Sequence, residues 1–224
     1  MKHLYEKNGL VFFEQKEIEY RENCEKEISR AILECMKWQN LWFQMLKVEA
    51  PILTPTHLIN PNYTLDDYFN LDDISLRPET TMGSYEYAKH ILAGWYDKVK
   101  YRAPIIIYQH GKSFRKEQDQ PTKFMRLKEF YQLEFQIIYG LTTANDYSEE
   151  LFPMVQELLE KIVAKPCQLE LSDRLPSYSE CTMDIVVEDN DMEIASMSVR
   201  TDLPGYKVLE VAIGTDRLIY NYYR

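Results

Sequence analysis

The sequence predicts an α+β domain, an antiparallel β-sheet flanked by helices. Three features point there: apolar residues at helical spacing before and between the strand-like stretches, several β-branched runs that neighbour one another in the second half, and no GxGxxG or Walker loop of the kind a doubly wound sheet carries. From about Glu14 to Lys47 the apolar positions Ile28, Ile32, Cys35, Trp38, Trp42 and Met45 fall on one face, which predicts a long amphipathic helix. Pro51 disfavours helix, so Val48 to Leu53 is expected to be extended. Ala103 to Gln109 and Leu133 to Tyr139 read as two buried strands, antiparallel to each other and joined by a polar loop over 116–124. Asn145 or Asp146 is the expected cap of a second helix carrying Leu151, Val155, Leu158 and Ile162 on one face. Strand-like runs follow at Met183 to Val187, Glu193 to Val199 and Lys207 to Ile213, and the residues from Thr215 read as helix.

With 224 residues, 45% hydrophobic and 28% charged, the chain is long enough to bury a core and has no repetitive tract. No linker divides it, so 1–224 is expected to form a single domain. The net charge of −10 excludes a protein whose main work is coating nucleic acid, because that requires clustered Lys and Arg. Cys24, Cys35, Cys167 and Cys181 form no CxxC pair, so neither a zinc knuckle nor a disulfide framework is expected and a reducing cytoplasm is the natural compartment. No stretch reaches membrane-spanning length, and no membrane partner is expected.

One window concentrates chemistry. Residues two apart on a strand share a face, so Arg115 projects with Glu117, and Phe130 with Gln132 and Glu134. Together they offer a guanidinium fork for phosphate, an acceptor for an exocyclic amine and a flat ring for a base, the mixture a nucleotide requires. Taken singly, Arg115 and Glu117 would be an ordinary solvated pair. His57, His90 and His110 have no carboxylate or serine at a suggestive spacing and are read as structural. The acidic stretch Glu188 to Asp191 lacks calcium-site spacing and is read as a solvated turn.

The segment Phe114-Arg115-Lys116-Glu117 followed by Arg126, Phe130 and Glu134 resembles the second signature motif of class II aminoacyl-tRNA synthetases. Upstream, Leu76 to Gly83, which contains Arg77-Pro78-Glu79-Thr80, resembles the RPET segment of glycyl enzymes. Downstream, Pro176 to Asp184 is similar to their HYS…T.D stretch, Glu193 to Asp202 to ELEGIANRTD, and Glu210 to Arg217 to the third motif, EPSFGIDR. The five segments keep the family's order. The motifs span about 38–53, 109–135 and 208–224; the first has the proline of Pro51 but lacks the usual glycine.

This resemblance implies a class II catalytic core that binds ATP and Mg²⁺ and forms an aminoacyl adenylate. Arg115 would hold the α-phosphate and the attacking carboxylate, Glu117 the adenine amine, Phe130 the base, Arg217 the γ-phosphate and Arg126 the terminal phosphates. Glu193 would be a ligand of Mg²⁺ bridging ATP oxygens, since hard cations prefer carboxylate oxygen. Glu79, Glu134, Arg200, Glu210 and Ala212 match the amino-acid pocket. Ala212 replaces the serine of EPSFG and Val211 its proline, which leaves glycine or another small amino acid as the substrate. The family resemblance further implies a homodimer and transfer to the tRNA acceptor end. No anticodon-binding segment follows the third motif here, so tRNA recognition is expected to be weak or assisted. Transfer to a carrier protein or peptide, or a non-catalytic accessory role, are the alternatives.

Overall fold

The fold is that of a computed structural model, described for residues 9–38, 44–93, 101–116, 125–141, 147–173 and 176–223. A seven-stranded sheet forms its centre, built from β1 (Gln44–Lys47), β5 (Ile105–Phe114), β6 (Glu129–Gly140), β7 (Cys167–Leu171), β8 (Ser179–Val187), β9 (Met192–Arg200) and β10 (Tyr206–Gly214) in the order β1-β5-β6-β10-β9-β8-β7. A small sheet of β2 (Leu53–Pro55), β3 (Asn70–Leu71) and β4 (Ile74–Leu76) stands apart. The helices are α1 (Gln15–Trp38), α2 (Thr81–Leu92), α3 (Ser148–Val163) and α4 (Thr215–Tyr223).

Two expectations are corrected. The first helix ends at Trp38 rather than Lys47: Gln44–Lys47 is strand β1, and Trp42 lies outside the described residues. The apolar spacing continued through Met45 because Met45 packs on the main core and Leu46 on the smaller one, so this edge strand carries adjacent apolar residues in place of period-2 alternation. The large sheet is also not wholly antiparallel, since β1 runs parallel to β5, with Gln44 beside Ile105 and Lys47 beside Tyr108. Every other pairing in it is antiparallel. The expected caps Asn145 and Asp146 lie outside the described residues.

Period-2 alternation gives the central strands two unlike faces. On β6, Leu133, Phe135 and Ile137 join Val211 and Ile213 of β10 and Ala195 and Met197 of β9 in one apolar cluster, which Ile28 and Ile32 of α1, Val155 and Leu159 of α3 and Leu218 of α4 complete. The intervening residues, Gln132, Glu134 and Gln136 on β6, Ser196, Ser198 and Arg200 on β9, and Glu210 and Ala212 on β10, belong to the opposite face. That face has a second, smaller core at the far end, where Ile105, Ile107, Ile138 and Val208 pack on Tyr85, Ala88 and Ile91 of α2. Burial of each such aliphatic side chain contributes about 1.5–3 kcal/mol, and between the small core and the sheet's other end the polar residues are enclosed without an apolar cover.

Local chemistry sets the connections. Leu203-Pro204-Gly205-Tyr206 turns β9 into β10: Tyr206 N–H donates to Leu203 O at 3.1 Å and Gly205 takes φ +84°. Proline fixes the first corner of such a turn, and glycine accepts the positive φ of the second. At the start of α1, Glu14 N–H donates to the Glu17 carboxylate at 2.7 Å, the reciprocal half of a capping box. His110 braces α1 to the sheet, with Nδ1 3.0 Å from Glu25 Oε2 and Nε2 3.1 Å from Thr215 Oγ1. Glu25 also pairs with Lys47. The His110 contact, with Lys47 adding to it and burial opposing, holds the Glu25 carboxyl at about 2.

Arg77, the first residue of the RPET segment, is a structural clamp. Buried, it donates through Nε to Lys112 O and through Nη1 to Ala50 O, both at 2.8 Å, so it ties the chain after β1 and the segment before α2 to β5. A Cβ added to Gly111 would collide with Arg77 Nη2. Gly111→Ala is therefore expected to destabilise the protein by about 1–3 kcal/mol, read as a lower urea midpoint with an unchanged slope.

Candidate functional site

A cavity of about 380 Å³ opens on the polar face of the sheet. Its walls include Glu79, Arg115, Arg126, Phe130, Glu134, Glu193, Glu210, Ala212 and Arg217, so nine of the residues singled out in the sequence converge on one space although they span 139 positions. Arg200 does not line the cavity; it lies beneath the floor, fully enclosed at 0% exposure. Glu117 lies outside the described residues.

The floor is a buried charge network. Arg200 donates to Glu210 Oε2 at 2.8 Å and, through Nε and Nη2, to the two carboxylate oxygens of Asp202 at 3.1 and 2.6 Å. Its guanidinium also lies 3.9 Å from the ring centre of Tyr178. Burial would strip this arginine of its proton, but Glu210 and the Asp202 fork outweigh that and hold it above the usual arginine range. The start of α2 meets the same network. The hydroxyl of Thr80, the residue preceding the helix, makes no cap bond and donates instead to Glu134 Oε2. Thr81 Oγ1 stands 2.8 Å from Glu210 Oε2 and 3.1 Å from Glu134 Oε2, and Gln136 Nε2 donates to Glu210 at 2.8 Å. The helix N-terminus adds its partial positive charge to these carboxylates.

One hydroxyl hydrogen on Thr81 cannot serve two carboxylates at once, so the arrangement favours one of them carrying a proton. Burial, followed by the like charges of Glu210 and Glu79, raises Glu134 to about 7. Glu79 is raised in the same direction by its burial, with Arg200 opposing. Its Oε1 is buried with no hydrogen-bond donor among the described residues, as are Gln132 Oε1 and Gln136 Oε1. Three buried acceptors beside partly protonated carboxylates make a site that favours a cationic, multiply donating group.

The walls carry the opposite charge. Arg115 follows the end of β5. Its Nε donates to Pro78 O and its Nη2 to Tyr63 Oη, both at 3.0 Å, and its guanidinium sits 5.1 Å from the Phe130 ring centre. Those contacts hold the fork against an aromatic face at the cavity wall. Arg217, in the first turn of α4, donates to Glu193 O at 2.6 Å and is 3.7 Å from the Glu193 carboxylate, whose side chain is 50% exposed. Asp216 next to it is buried and accepts from Tyr131 N–H at 2.9 Å; burial raises it to about 6, against the pull of that N–H.

Sequence reasoning did not assign Tyr63, Thr80, Thr81 or Tyr178. The two threonines and Tyr178 lie inside segments the motif comparison had already picked out. Tyr63 sits in a turn-rich loop with no periodicity to mark it.

In three dimensions the chain is similar to the prolyl-tRNA synthetase of Cryptosporidium parvum complexed with halofuginone and AMPPNP, with a TM-score of 0.69 over 97% of this chain and 49% of that one, at 14% identity. It is similar also to a pyrrolysyl-tRNA synthetase of Desulfitobacterium hafniense, with a TM-score of 0.60 over 86% of this chain and 64% of that one, at 19% identity. The chain has the class II aminoacyl-tRNA synthetase catalytic-core fold. No family model matches it. In sequence, this synthetase-like core is 29% identical over 116 residues to the glycine–tRNA ligase of Mycoplasmopsis synoviae, a match covering 50% of this chain and 25% of that protein. It is 34% identical over 90 residues to the glycine–tRNA ligase of Mycoplasma genitalium, covering 40% and 19%. The chain thus matches a quarter or less of the length of these curated relatives.

The raised Glu134 has a measurable consequence. A carboxyl whose pKa is higher in the folded state than in the unfolded chain stabilises the fold below its unfolded value, and the benefit is lost as pH rises through its folded value. Melting temperature is therefore expected to fall between pH 5 and 8 in the wild type. The fall should be shallower in Glu134→Gln, which keeps an acceptor for Thr80 and removes the titration; the difference between the two curves is on the order of 3 kcal/mol.

Proposed function

We propose that this chain activates an amino acid with ATP, forming an aminoacyl adenylate, as an aminoacyl-tRNA ligase-like enzyme. The observation that carries the reading is the polarity of the cavity. A floor of three buried carboxylates, one of which, Glu79, has an unpartnered oxygen among the described residues, lies below a wall where the Arg115 guanidinium faces the Phe130 ring, and Arg217 stands at the rim. An amino acid has the matching polarity, its ammonium towards Glu79, Glu134 and Glu210 and its carboxylate towards Arg115.

In this reading Arg115 bridges the attacking carboxylate and the α-phosphate and offsets the negative charge that builds up between them. Phe130 supports the adenine, with Glu117 accepting from its amine, while Arg217 and Arg126 bind the outer phosphates. No nucleophilic side chain is needed, because the substrate carboxylate is itself the nucleophile, so catalysis consists of positioning and charge stabilisation. Magnesium fits the same frame as a shared ion: among the described residues no three ligating side chains cluster, and the half-exposed Glu193 would supply one carboxylate to a cation otherwise held by phosphate oxygens and water.

The substrate side is a small amino acid, glycine foremost. The glycine–tRNA ligases among the sequence relatives support that choice, and Ala212, opposite Glu134 and Ser196 in the sheet, keeps the floor tight while lacking a hydroxyl. Transfer to the tRNA acceptor end completes the reaction in this reading, with 1–224 acting as one catalytic domain and two copies associating around the first motif in the cytoplasm. No helix among the described residues is long and apolar enough to cross a membrane.

Pyrophosphate exchange into ATP, run with each of the twenty amino acids, is expected to proceed with glycine or one other small amino acid. Silence across the set, from folded protein, would overturn the reading in favour of a non-catalytic accessory role. Charging of a tRNA transcript then separates tRNA from a carrier protein or peptide as acceptor. Arg115→Ala is expected to lower exchange by about 10²–10³-fold while the melting temperature stays within a few degrees of wild type.

A further inference from the structure

Tyr63 stands between the two poles of this site. Its hydroxyl donates to Glu79 Oε2 at 3.0 Å and accepts from Arg115 Nη2 at 3.0 Å, and its ring centre lies 5.5 Å from the Arg115 guanidinium. It comes from the loop between β2 and β3 of the small sheet, which among the described residues contributes no other residue to the cavity wall. The loop is itself pinned: Lys116 N–H donates to Asp67 O at 2.8 Å, and Asn62 and Tyr63 N–H groups close turns onto Asn60. With Arg115 also held by Pro78 O, the sequence Pro78, Arg115, Tyr63, Glu79 forms a closed circuit of side-chain and backbone bonds.

We propose that Tyr63 is a positioning residue that sets the spacing between the ammonium-binding and carboxylate-binding poles by relaying Arg115 to Glu79. The inference rests on the activation reading above. The hydroxyl uses its hydrogen on Glu79 Oε2, which leaves Oε1, the buried acceptor without a donor, as the oxygen available to a ligand. It uses a lone pair on Arg115 Nη2, which fixes one edge of the guanidinium against the loop while Nε is held by Pro78 O. The bond that orients the acid also orients the base.

The relay makes Glu79 ionisation depend on Tyr63. Glu79 is faced by Arg200 and Arg115, which favour its charge, by Glu210 and Glu134, which oppose it, and by Tyr178 and Tyr63. Burial dominates and raises the carboxyl, and the Tyr63 hydrogen bond works against that rise. Without the hydroxyl, Glu79 would ionise at a higher pH, and an ammonium ligand would meet a neutral acid over a wider range.

Tyr63→Phe keeps the ring against Arg115 and removes only the relay. In pyrophosphate exchange kcat/KM for the amino acid should fall about tenfold at pH 7, and the acid limb of its pH profile should move to higher pH, so that the deficit narrows as pH rises. KM for ATP should change less than about twofold, because in the activation reading the base and the outer phosphates fall to Phe130, Arg126 and Arg217. An unshifted limb, or equal losses for both substrates together with a lowered melting temperature, would mean a structural role and overturn the proposal. If the wild type shows no exchange with any amino acid, the activation reading fails and the proposal with it; if the wild type is active and Tyr63→Phe matches it, the proposal alone fails.

Discussion

The structure depends on one constraint: a sheet that is apolar on one face must carry buried charge on the other and still be satisfied there. Arg200 meets it. Fully enclosed, the guanidinium is bound by Glu210 and by both oxygens of Asp202, and it lies against Tyr178. A buried charge without such partners would cost several kcal/mol. With them, Glu210 is anchored at a fixed position on β10 and offers its field to Glu134 and Glu79 above.

That anchoring explains why the helix after RPET begins where it does. Thr80 and Thr81 turn their hydroxyls to Glu134 and Glu210 rather than to helix N–H groups, so the first turn of α2 is fastened to the sheet through the site itself. Arg77 and Gln109 complete the fastening below, Gln109 donating to Thr80 O at 2.6 Å and to Ser84 Oγ at 2.7 Å. The floor is consequently tied to α2, β5 and β10 by hydrogen bonds. The groups assigned to the nucleotide in the proposed reading, Arg115 with Phe130 and Arg217 with Glu193, sit near strand ends and in the first turn of α4.

The excess of buried acceptors gives the site its direction. Carboxylates pressed together in a dry floor compete for protons, and a ligand that brings hydrogen-bond donors and positive charge relieves both the desolvation and the mutual repulsion. The same floor disfavours a second anion. In the proposed reading, a molecule with an ammonium at one end and a carboxylate at the other would bind in one orientation, with its carboxylate towards Arg115.

The sequence by itself determined the strands and much of the site's membership. β-branched runs and period-2 alternation marked β5, β6, β8, β9 and β10, because a strand buried on one face must alternate whatever it packs against. Ordered motif segments brought Glu79, Arg115, Phe130, Glu134, Glu193, Glu210 and Arg217 together on paper, and in the fold they line one cavity. Only the tertiary structure decided the rest. It cut the first helix at Trp38 and made Gln44–Lys47 a parallel edge strand, a choice fixed by pairing with β5 and not by local spacing. It formed the small sheet, whose strands of two or three residues are too short to leave a periodic signal. It turned Arg77 into a clamp and Arg200 into a support below the floor, and it gave His110 the partners Glu25 and Thr215, 85 and 105 positions away. Tyr63 shows the reason most directly: a loop side chain acquires its role from the two groups it stands between, and neither its neighbours in sequence nor its own chemistry names them.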